Sequence, residues 1–526
     1  MRFLRVCFGF IVALLGFAIC SSKASNILFI LPYPVPSHFQ CFHPLMVELA
    51  DRGHNVTVLS SFKPNHDNIT FIDFTGAKQY FHASWTALRS QTRLENMITT
   101  YEIVKNFMNK ALYDENFQQL LNNNDTHFDA VMIEIYYADA YLALAKKYNA
   151  PVIGLVPQSL PAVYGWLTSN PISFSYIPNM YLPYTNDMNF FQRLTNSLFG
   201  LVHVVAYEMW YYVANQEVVN RHFDFLQSNQ KNLKTMLDDV SLLLVNTHYT
   251  MGYPRPFLPN IVEVAGMHLK SKKTLPEDIR HFMDKSVNGV VYISFGTMVD
   301  PIVVEKWGKV ILQVFANQPL SVIWKWNSTL VENIPRNFFI QSWLPQNEIL
   351  QHSNCKLFIT HGGVHSLIET VNAGVPIIGV PFFSDQPLNI ANAEKLGFGI
   401  GLKDLETEPL RNAVRRIFDN PEYHKNAQHR SKLFKDRLVD PLSTATYWVE
   451  HVLRNKGAPH LKSAAAKLTW YQYFMLDVIV FVLVVLFVIS YLLAVISTRA
   501  IRFTRAKFNS FVTFVIDHNS QYKKVQ

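Results

Sequence analysis

The sequence of 526 residues predicts an α/β protein of two Rossmann-like domains that face each other across a cleft, with a transmembrane helix near the C-terminus. Two observations indicate the paired domains: a strand–helix–strand pattern opens the chain, and a second α/β series follows a lysine-rich linker. A chain of this length exceeds one ordinary domain and suffices for two.

The N-terminal domain is predicted to cover residues 25–269. Asn26–Leu31 is an apolar strand, Pro44 suits the first position of a helix that ends near Gly53, and Val56–Leu59 is the next strand. A unit of this kind, about 30 residues long, indicates a parallel sheet whose ligands bind at the C-terminal ends of the strands. The pattern returns at three further apolar runs: Ala130–Ile135, Pro151–Val156 and Ser241–Asn246.

Residues 159–225 differ because they are aromatic, proline-rich and poorly periodic. Two interpretations stay open: a large buried loop system, or the lining of an apolar ligand pocket. Residues 270–284 are the predicted linker, and residues 285–460 the predicted C-terminal domain. The strands predicted for this second domain are Val290–Phe295, Ser321–Trp326, Asn337–Ile340, Leu357–Thr360 and Ile377–Val380.

Both ends of the chain carry targeting features. Residues 1–24 combine two arginines, an apolar run and small residues, which predicts a signal peptide. Residues 475–497 are predicted to span a membrane, because Val478–Ile496 contains no charged residue over a length close to the ~20 residues required. The tail at residues 498–526 is basic, which predicts a type I topology with a cytosolic tail and a lumenal body.

The net charge of +8 lies entirely in these two ends, so the body is neutral. A neutral body has no footprint for a phosphate backbone, and nucleic acid is therefore not an expected partner. The chain ends in Lys523-Lys524-Val525-Gln526, which resembles the dilysine retrieval signal of endoplasmic reticulum membrane proteins. We therefore expect the protein in the endoplasmic reticulum membrane.

The cysteines predict free thiols rather than disulfides, because Cys41 and Cys355 fall in different domains and the other two leave with the signal peptide. No cysteine–histidine cluster has zinc spacing, and no metal is expected. Four sequons lie in the lumenal body, and Asn55 is the least expected site because it falls within a strand. The candidate glycosylation sites are Asn55, Asn68, Asn124 and Asn327.

The segment His361-Gly362-Gly363 stands between an apolar strand and a helix. Glycines let backbone N–H groups approach a ligand, and the N-terminus of a helix favours an anion such as phosphate. Ser366 and Glu369 also fit a capping box, so an alternative is that they only cap the helix.

The surroundings of this segment are more specific. It is preceded by Gln341-Ser-Trp343-Leu-Pro345-Gln346 and followed by Gly374-Val-Pro376 and Asp385-Gln386. This set resembles the signature of the UDP-glycosyltransferase family, the UDP-glucuronosyl- and UDP-glucosyltransferases. The resemblance extends along the whole chain, to Ser37-His38, Arg52-Gly53-His54, Phe295-Gly296-Thr297, the late span and the basic tail.

The resemblance implies a GT-B fold in which the C-terminal domain binds a UDP-sugar and the N-terminal domain binds the acceptor. It implies that Trp343 stacks on uracil, that Glu369 holds the ribose hydroxyls and that His361 contacts the diphosphate. The family uses no metal here, and the UDP-sugar is a co-substrate, so no cofactor is expected. The implied donor-binding residues are Thr297, Trp343, Gln346, His361, Gly363, Ser366, Glu369, Asp385 and Gln386.

His38 matches the family's catalytic position and is the expected general base, on the loop after the first strand; His43 is the rival. The family pairs its histidine with an aspartate, for which this chain offers two positions. Glu134 has the expected place at a strand end, whereas Asp139 has the expected side chain. We lean to Asp139, and rank Asp129 last because it precedes the strand.

These observations predict an enzyme that transfers a sugar, with inversion, from a UDP-sugar to a hydroxyl of a small lipophilic acceptor. We favour UDP-glucose as donor, then UDP-glucuronate, because no arginine can be placed to pair a glucuronate carboxylate. The alternative function is a catalytically silent membrane scaffold or UDP-sugar sensor. A UDP-sugar epimerase shares the two-domain architecture but does not fit the signal peptide and span. Homo-oligomerisation stays open.

Overall fold

The structure is a computed structural model that describes residues 24–76, 78, 81, 91–270, 274–296, 301–326 and 334–523. Residues up to Lys462 form one compact unit, and the residues from Ser463 onward form a second. The first unit contains two sheets, and every described strand pair in them is parallel, as the sequence predicts.

The first sheet has the strand order β3-β2-β1-β4-β5-β6-β7. Because the order reverses between β1 and β4, the loops after these two strands diverge and leave a crevice at the C-terminal edge. All predicted strands of this domain are present; the two edge strands, β3 and β7, were not predicted. The strands are β1 Asn26–Leu31, β2 Asn55–Ser60, β3 Ile69–Asp73, β4 Ala130–Glu134, β5 Val152–Val156, β6 Val240–Val245 and β7 Ile261–Glu263.

The helix that follows β1 begins earlier than predicted, at Pro36 instead of Pro44. Pro36 fits the first helical position because the preceding Val35 is extended, with φ −110° and ψ 110°. His38 therefore lies in the first turn of this helix and not on a loop. The helices of this domain are α1 Pro36–Asp51, α2 Arg93–Ala111, α3 Glu115–Asn122, α4 Leu142–Tyr148, α5 Ala162–Leu167, α6 Phe190–Ala206, α7 Tyr212–His222 and α8 Leu233–Asp238.

The second sheet has the order β10-β9-β8-β11-β12-β13, so its crevice lies between β8 and β11. Its strands are β8 Val290–Ser294, β9 Ser321–Lys325, β10 Phe338–Gln341, β11 Cys355–Thr360, β12 Ile377–Gly379 and β13 Gly399–Gly401. Its helices are α9 Glu277–Lys285, α10 Pro301–Phe315, α11 Gln346–Gln351, α12 Val364–Ala373, α13 Gln386–Lys395, α14 Thr407–Asp419 and α15 Glu422–Lys435; α16 Pro441–Arg454 follows.

Two predicted domain boundaries are wrong. The predicted linker at 270–284 contains α9, whose buried residues Ile279 and Met283 belong to the core of the second sheet. The predicted C-terminal domain at 285–460 includes α16, but this helix packs against the first sheet. Its buried apolar residues there are Leu442, Ala445, Val449 and Val452. The chain therefore crosses back to the N-terminal domain before the first compact unit ends.

The second unit contains α17 Trp470–Tyr473 and α18 Leu476–Lys523. Among the described residues, one stretch, Leu476–Ser520, is long and apolar enough to cross a membrane. It includes the span predicted at 475–497 except residue 475, and the helix continues into the tail predicted from residue 498. Most of the predicted signal peptide, residues 1–23, lies outside the described residues.

The remaining surface and cysteine predictions are consistent with the structure. Cys41 and Cys355 are free and buried, in α1 and β11 respectively. The side chains of Asn55, Asn68 and Asn124 are exposed, whereas Asn327 lies outside the described residues.

Candidate active site

A cleft opens where the loops after β1 and β4 of the first sheet meet the loops after β8 and β11 of the second. Its empty volume, including the open mouth, is about 1270 Å³. Residues of both domains line the cleft, so groups held by the two walls face each other in it.

On the N-terminal wall, His38 and Glu134 form a pair. The Nδ1 atom of His38 lies 2.5 Å from Oε1 of Glu134, a fully buried carboxylate at the end of β4. The two side chains are neighbours because β1, which leads to His38, pairs directly with β4. A carboxylate accepts a hydrogen bond from Nδ1–H and so fixes the tautomer of the ring. Nε2 then carries a free lone pair.

The preference for Asp139 as the partner of His38 is wrong. Asp139 lies in a buried 3₁₀ turn, where its carboxylate accepts hydrogen bonds from the Tyr164 hydroxyl at 3.1 Å and from the Tyr207 hydroxyl. Burial raises the pKa of Asp139 to about 6. This carboxylate is therefore a structural group, and the strand end, not the side-chain type, decides the position of the partner.

The other two candidates, Asp129 for the carboxylate partner and His43 for the base, make different contacts. Asp129 precedes β4 and accepts a hydrogen bond from the backbone N–H of Asn26, at the N-terminal edge of the sheet. His43 accepts a hydrogen bond from the N–H of Asn65 and is not among the described residues that line the cleft.

On the opposite wall, His361 follows β11 and packs tightly against glycine backbone. A Cβ atom on Gly363 would stand 2.6 Å from Nε2 of His361, and one on Gly296 would stand 2.9 Å from its Cε1 atom. Both positions thus require glycine. Burial, helped by the charge of Lys325, lowers the pKa of His361 to about 4, so the ring is neutral near pH 7. A neutral imidazole can still donate one N–H to an anion.

The capping alternative for Ser366 and Glu369 is wrong, because Gly363 occupies the N-cap position of α12 and both residues lie inside the helix. Their side chains instead meet Gln346, whose Nε2 donates to Ser366 Oγ at 2.9 Å and to Glu369 Oε2 at 2.5 Å. Burial raises the pKa of Glu369 to about 7. With no capping side chain at Gly363, the first N–H groups of α12 remain available to an anion.

Trp343 follows β10 and presents an indole that is 59% exposed. The ammonium of Lys325, at the end of β9, lies 4.5 Å from the centre of this ring and also lines the cleft. Lys325 was not predicted as a site residue. The signal that could have revealed it is a lysine at the C-terminal end of a buried strand, where the ligand edge of a parallel sheet lies.

Asp385 and Gln386 line the cleft at the start of α13. Asp385 accepts a hydrogen bond from Asn389 at 2.8 Å, and burial raises its pKa to about 6. The Gln386 amide oxygen accepts the backbone N–H of Phe382, which leaves the amide NH₂ group for a ligand. Thr297 lies outside the described residues.

The apolar part of the cleft does not come from residues 159–225. The described lining residues include none from that range, which instead forms α5, α6 and α7. The interpretation as a pocket lining is therefore wrong, and the interpretation as a buried loop system holds only for residues 168–189, of which 177–182 are buried. The apolar lining comes from elements close to the strand ends: Tyr33, Val35, Phe81, Val104, Tyr136 and Phe383.

One group of described residues could hold a metal ion: His268, His365 and Glu369, whose ligand atoms lie within 4.8 Å of one another. The rings of the two histidines stack at 3.8 Å with planes 23° apart. Nitrogen lone pairs of stacked rings run side by side and do not converge on one point, so the arrangement does not suit a metal. The expectation of a metal-free site stays a prediction.

The two Rossmann-like domains and the cleft between them form a GT-B fold. Solved structures with this fold match most of the chain, among them one titled UDP-glucose: anthocyanidin 3-O-glucosyltransferase in complex with UDP. That match has a TM-score of 0.54 at 14% identity and covers 82% of this chain and 100% of the other. The calicheamicin glycosyltransferase CalG4 matches with a TM-score of 0.55 at 16% identity, over 82% and 99% of the two chains.

The chain belongs to the UDP-glycosyltransferase family. The family described as UDP-glucoronosyl and UDP-glucosyl transferase matches residues 28–510. UDP-glycosyltransferase UGT4 of Dactylopius coccus is 40% identical over 88% of this chain and 92% of its own length. UDP-glucuronosyltransferase 1-2 of Mus musculus is 32% identical over 85% and 86%. The protein is therefore a UDP-glycosyltransferase that transfers sugar from a UDP-sugar.

The Glu134 contact predicts which carboxylate supports turnover. Glu134→Gln should lower turnover by about 10²- to 10⁴-fold, because an amide no longer stabilises an imidazolium at His38. Asp139→Asn should instead lower the free energy of unfolding by about 1–3 kcal/mol through its tyrosine partners, with little change in turnover of the folded protein. Full turnover in Glu134→Gln with UDP binding intact would exclude Glu134 as the partner.

The resemblance implies a ribose contact at Glu369, and the raised pKa of this carboxylate predicts that the contact depends on pH. Only the ionised carboxylate accepts two ribose hydroxyls, so the affinity for uridine should fall about tenfold as the pH drops from 8 to 6. Uridine lacks the phosphates and the transferred sugar of a UDP-sugar. Titration of a phosphate or of Asp385 therefore does not contribute to the pH dependence of uridine binding. Calorimetric titrations should show the slope in the native protein and a weak, flat response in Glu369→Gln. An equal slope in both proteins would assign the titration to another group.

Proposed function

We propose that the protein transfers glucose, with inversion, from UDP-glucose to a hydroxyl group of a small lipophilic acceptor, with His38 as general base and no metal. The observation that carries this proposal is the 2.5 Å contact between His38 and Glu134, on the wall of the cleft opposite the donor loops. The apolar lining beside this pair, which includes Tyr33 and Tyr136, supports a lipophilic acceptor.

The C-terminal wall offers one group for each part of the donor. The exposed Trp343 ring stacks on uracil, and the carboxylate of Glu369 accepts the ribose hydroxyls. The diphosphate lies at the N-terminus of α12, where His361, Ser366 and the backbone of Gly363 donate hydrogen bonds. Beyond the phosphates, the sugar hydroxyls reach Asp385 and Gln386.

The reaction is a single displacement. His38 Nε2 takes the proton of the acceptor hydroxyl while its oxygen attacks C1 of the sugar from the side opposite UDP. The bond from C1 to the UDP oxygen breaks, and the leaving diphosphate keeps the electron pair. Glu134 stabilises the imidazolium that forms at His38, and the donors around His361 stabilise the charge on the diphosphate.

Glucose is favoured over glucuronate by charge. The described residues that line the cleft include no arginine, and their one lysine, Lys325, lies against Trp343 on the uracil side. Asp385, near the expected sugar position, repels a second carboxylate when it is ionised. Relatives of this chain are named for both glucosyl and glucuronosyl transfer, so UDP-glucuronate is the next candidate.

We further propose that α18 anchors the protein in the endoplasmic reticulum membrane as a type I protein with its catalytic domains in the lumen. The supporting observations are the apolar stretch from Leu476 to Ser520 and the basic residues that follow residue 498. A lumenal site agrees with the three exposed sequons, at Asn55, Asn68 and Asn124.

A donor competition assay tests the proposed reaction. Microsomes that contain the full chain should form a β-glucoside from UDP-glucose and at least one member of a phenol panel, and UDP-glucuronate should serve poorly. His38→Ala should abolish the product while UDP binding persists. UDP binding without transfer from any donor to any acceptor would instead favour the silent scaffold or sensor.

The position of Lys325 suggests a test of the proposed diphosphate site. Its charge acts on His361, so we expect the ammonium to contact the diphosphate once uracil covers Trp343. Lys325→Met should weaken UDP binding by roughly 10- to 100-fold, as expected for loss of a charged hydrogen bond, and leave uridine binding nearly unchanged. Lys403→Met, at an exposed position outside the cleft, is the control of equal charge. Equal losses for UDP and uridine would place Lys325 at the nucleoside.

A further inference from the structure

The helix α6 has the reverse polarity of a helix in a soluble domain. A π-helical turn at Tyr207–Tyr211 and α7 continue it, and α7 buries Val218 and Val219 in the usual way. The buried residues of α6 are Asn196, Gly200 and His203, whereas its leucine, valine and phenylalanine side chains are largely exposed. Amphipathic helices of soluble domains bury their apolar face and expose their polar one.

Hydrogen bonds fix this orientation of the helix. The amide nitrogen of Asn196 donates to the carbonyl oxygens of Phe174 at 2.7 Å and Ile177 at 2.9 Å. The Nε2 atom of His203 lies 3.1 Å from the hydroxyl oxygen of Tyr137. Rotation of the helix about its axis would leave these buried polar groups without partners, at a considerable cost. The outward direction of the apolar side chains is therefore built into the fold.

The exposed apolar side chains from Phe190 to Val213 recur every three or four residues, and together they are here called the apolar stripe. It extends over 23 residue steps, or about 34 Å at the rise of an α-helix. No aspartate, glutamate, lysine or arginine occurs between Arg193 and Glu208. The apolar stripe consists of Phe190, Phe191, Leu194, Leu198, Leu201, Val202, Val205, Met209, Trp210 and Val213, each at least 40% exposed.

The composition of the apolar stripe favours lipid over a protein partner. Specific protein interfaces carry about one hydrogen bond per 100–200 Å², but the ten side chains of the stripe include a single polar group, the indole N–H of Trp210, and the exposed Thr195 adds one hydroxyl beside them. Trp210 stands near one end, a position that suits the polar boundary of a bilayer. An exposed apolar surface of this length marks an interaction site, and a helix with one apolar face can lie in the membrane interface.

We propose that the apolar stripe lies in the boundary layer of a lipid bilayer and forms a second membrane contact of the N-terminal domain. This inference rests on the proposed membrane anchor, because a chain tethered by α18 always has a bilayer within reach. Tethering raises the effective concentration of the surface, so even a weak contact is occupied.

Position-specific fluorescence on the full chain tests the proposal. Leu198→Cys and Val205→Cys, labelled with an environment-sensitive NBD group and reconstituted in phosphatidylcholine vesicles, report on the stripe. Asp51→Cys is the matched control, because it is exposed at the end of α1 and α1 packs on the other face of the same sheet. Cys41 and Cys355 are buried, so the unsubstituted protein measures background labelling. Native UDP binding confirms that each variant is folded.

The expected result is that nitroxide-labelled lipids quench the fluorescence at the two stripe positions and aqueous iodide does not, with the reverse at position 51. Iodide quenching at the stripe equal to that at position 51, on protein that floats with the vesicles, would overturn the proposal. Protection from both quenchers, together with chain-to-chain disulfides in unlabelled Leu198→Cys protein, would show a second copy on the stripe and overturn the proposal. Failure of the full chain to float with vesicles would instead remove the anchor, and this proposal with it.

Discussion

The parallel direction of the strands is the constraint on which the site depends. In each sheet all strands end at the same edge, and the reversal of strand order opens a crevice there. His38 and Glu134 meet because β1 and β4 are neighbours, and Gly296 and His361 meet because β8 and β11 are neighbours. The two crevices thus bring the proposed base, His38, from one sheet to the proposed anion site on the other.

The sequence predicts the central strands well and the sheet edges poorly. The bounds of β1 are predicted to the residue, because a strand covered on both faces is a continuous apolar run. The three unpredicted strands, β3, β7 and β13, all lie at sheet edges. β3 is only partly buried, and β13 has the sequence Gly-Ile-Gly, so neither shows an apolar run. The helix α6 was not predicted either, because its apolar residues face outward and do not follow the pattern of a helix with a buried apolar face.

The cleft position of the loop around His361 could be predicted because its residues are close in sequence, whereas contacts between residues that are distant in sequence could not. Glu134 and Asp139 are five residues apart, and only the end of β4 shows which one reaches His38. Lys325 meets Trp343 through the pairing of β9 with β10, a contact that no local pattern records. Residue type and spacing thus define the chemistry, and strand register decides which side chains take part.

The return of α16 to the first sheet has a mechanical consequence. The chain passes between the two sheets once after β7 and again before α16, and the two passages touch: the Arg437 guanidinium donates to the carbonyl oxygen of Ala265 at 2.9 Å. Because the two connections lie side by side, the two sheets can rotate about the line that joins them without stretching either connection. A twist of one sheet against the other would stretch at least one of them. Opening of the cleft is therefore expected to be a rotation of one wall away from the other about these two passages, which separates the hydroxyl groups of Tyr136 and Ser384, now 3.3 Å apart.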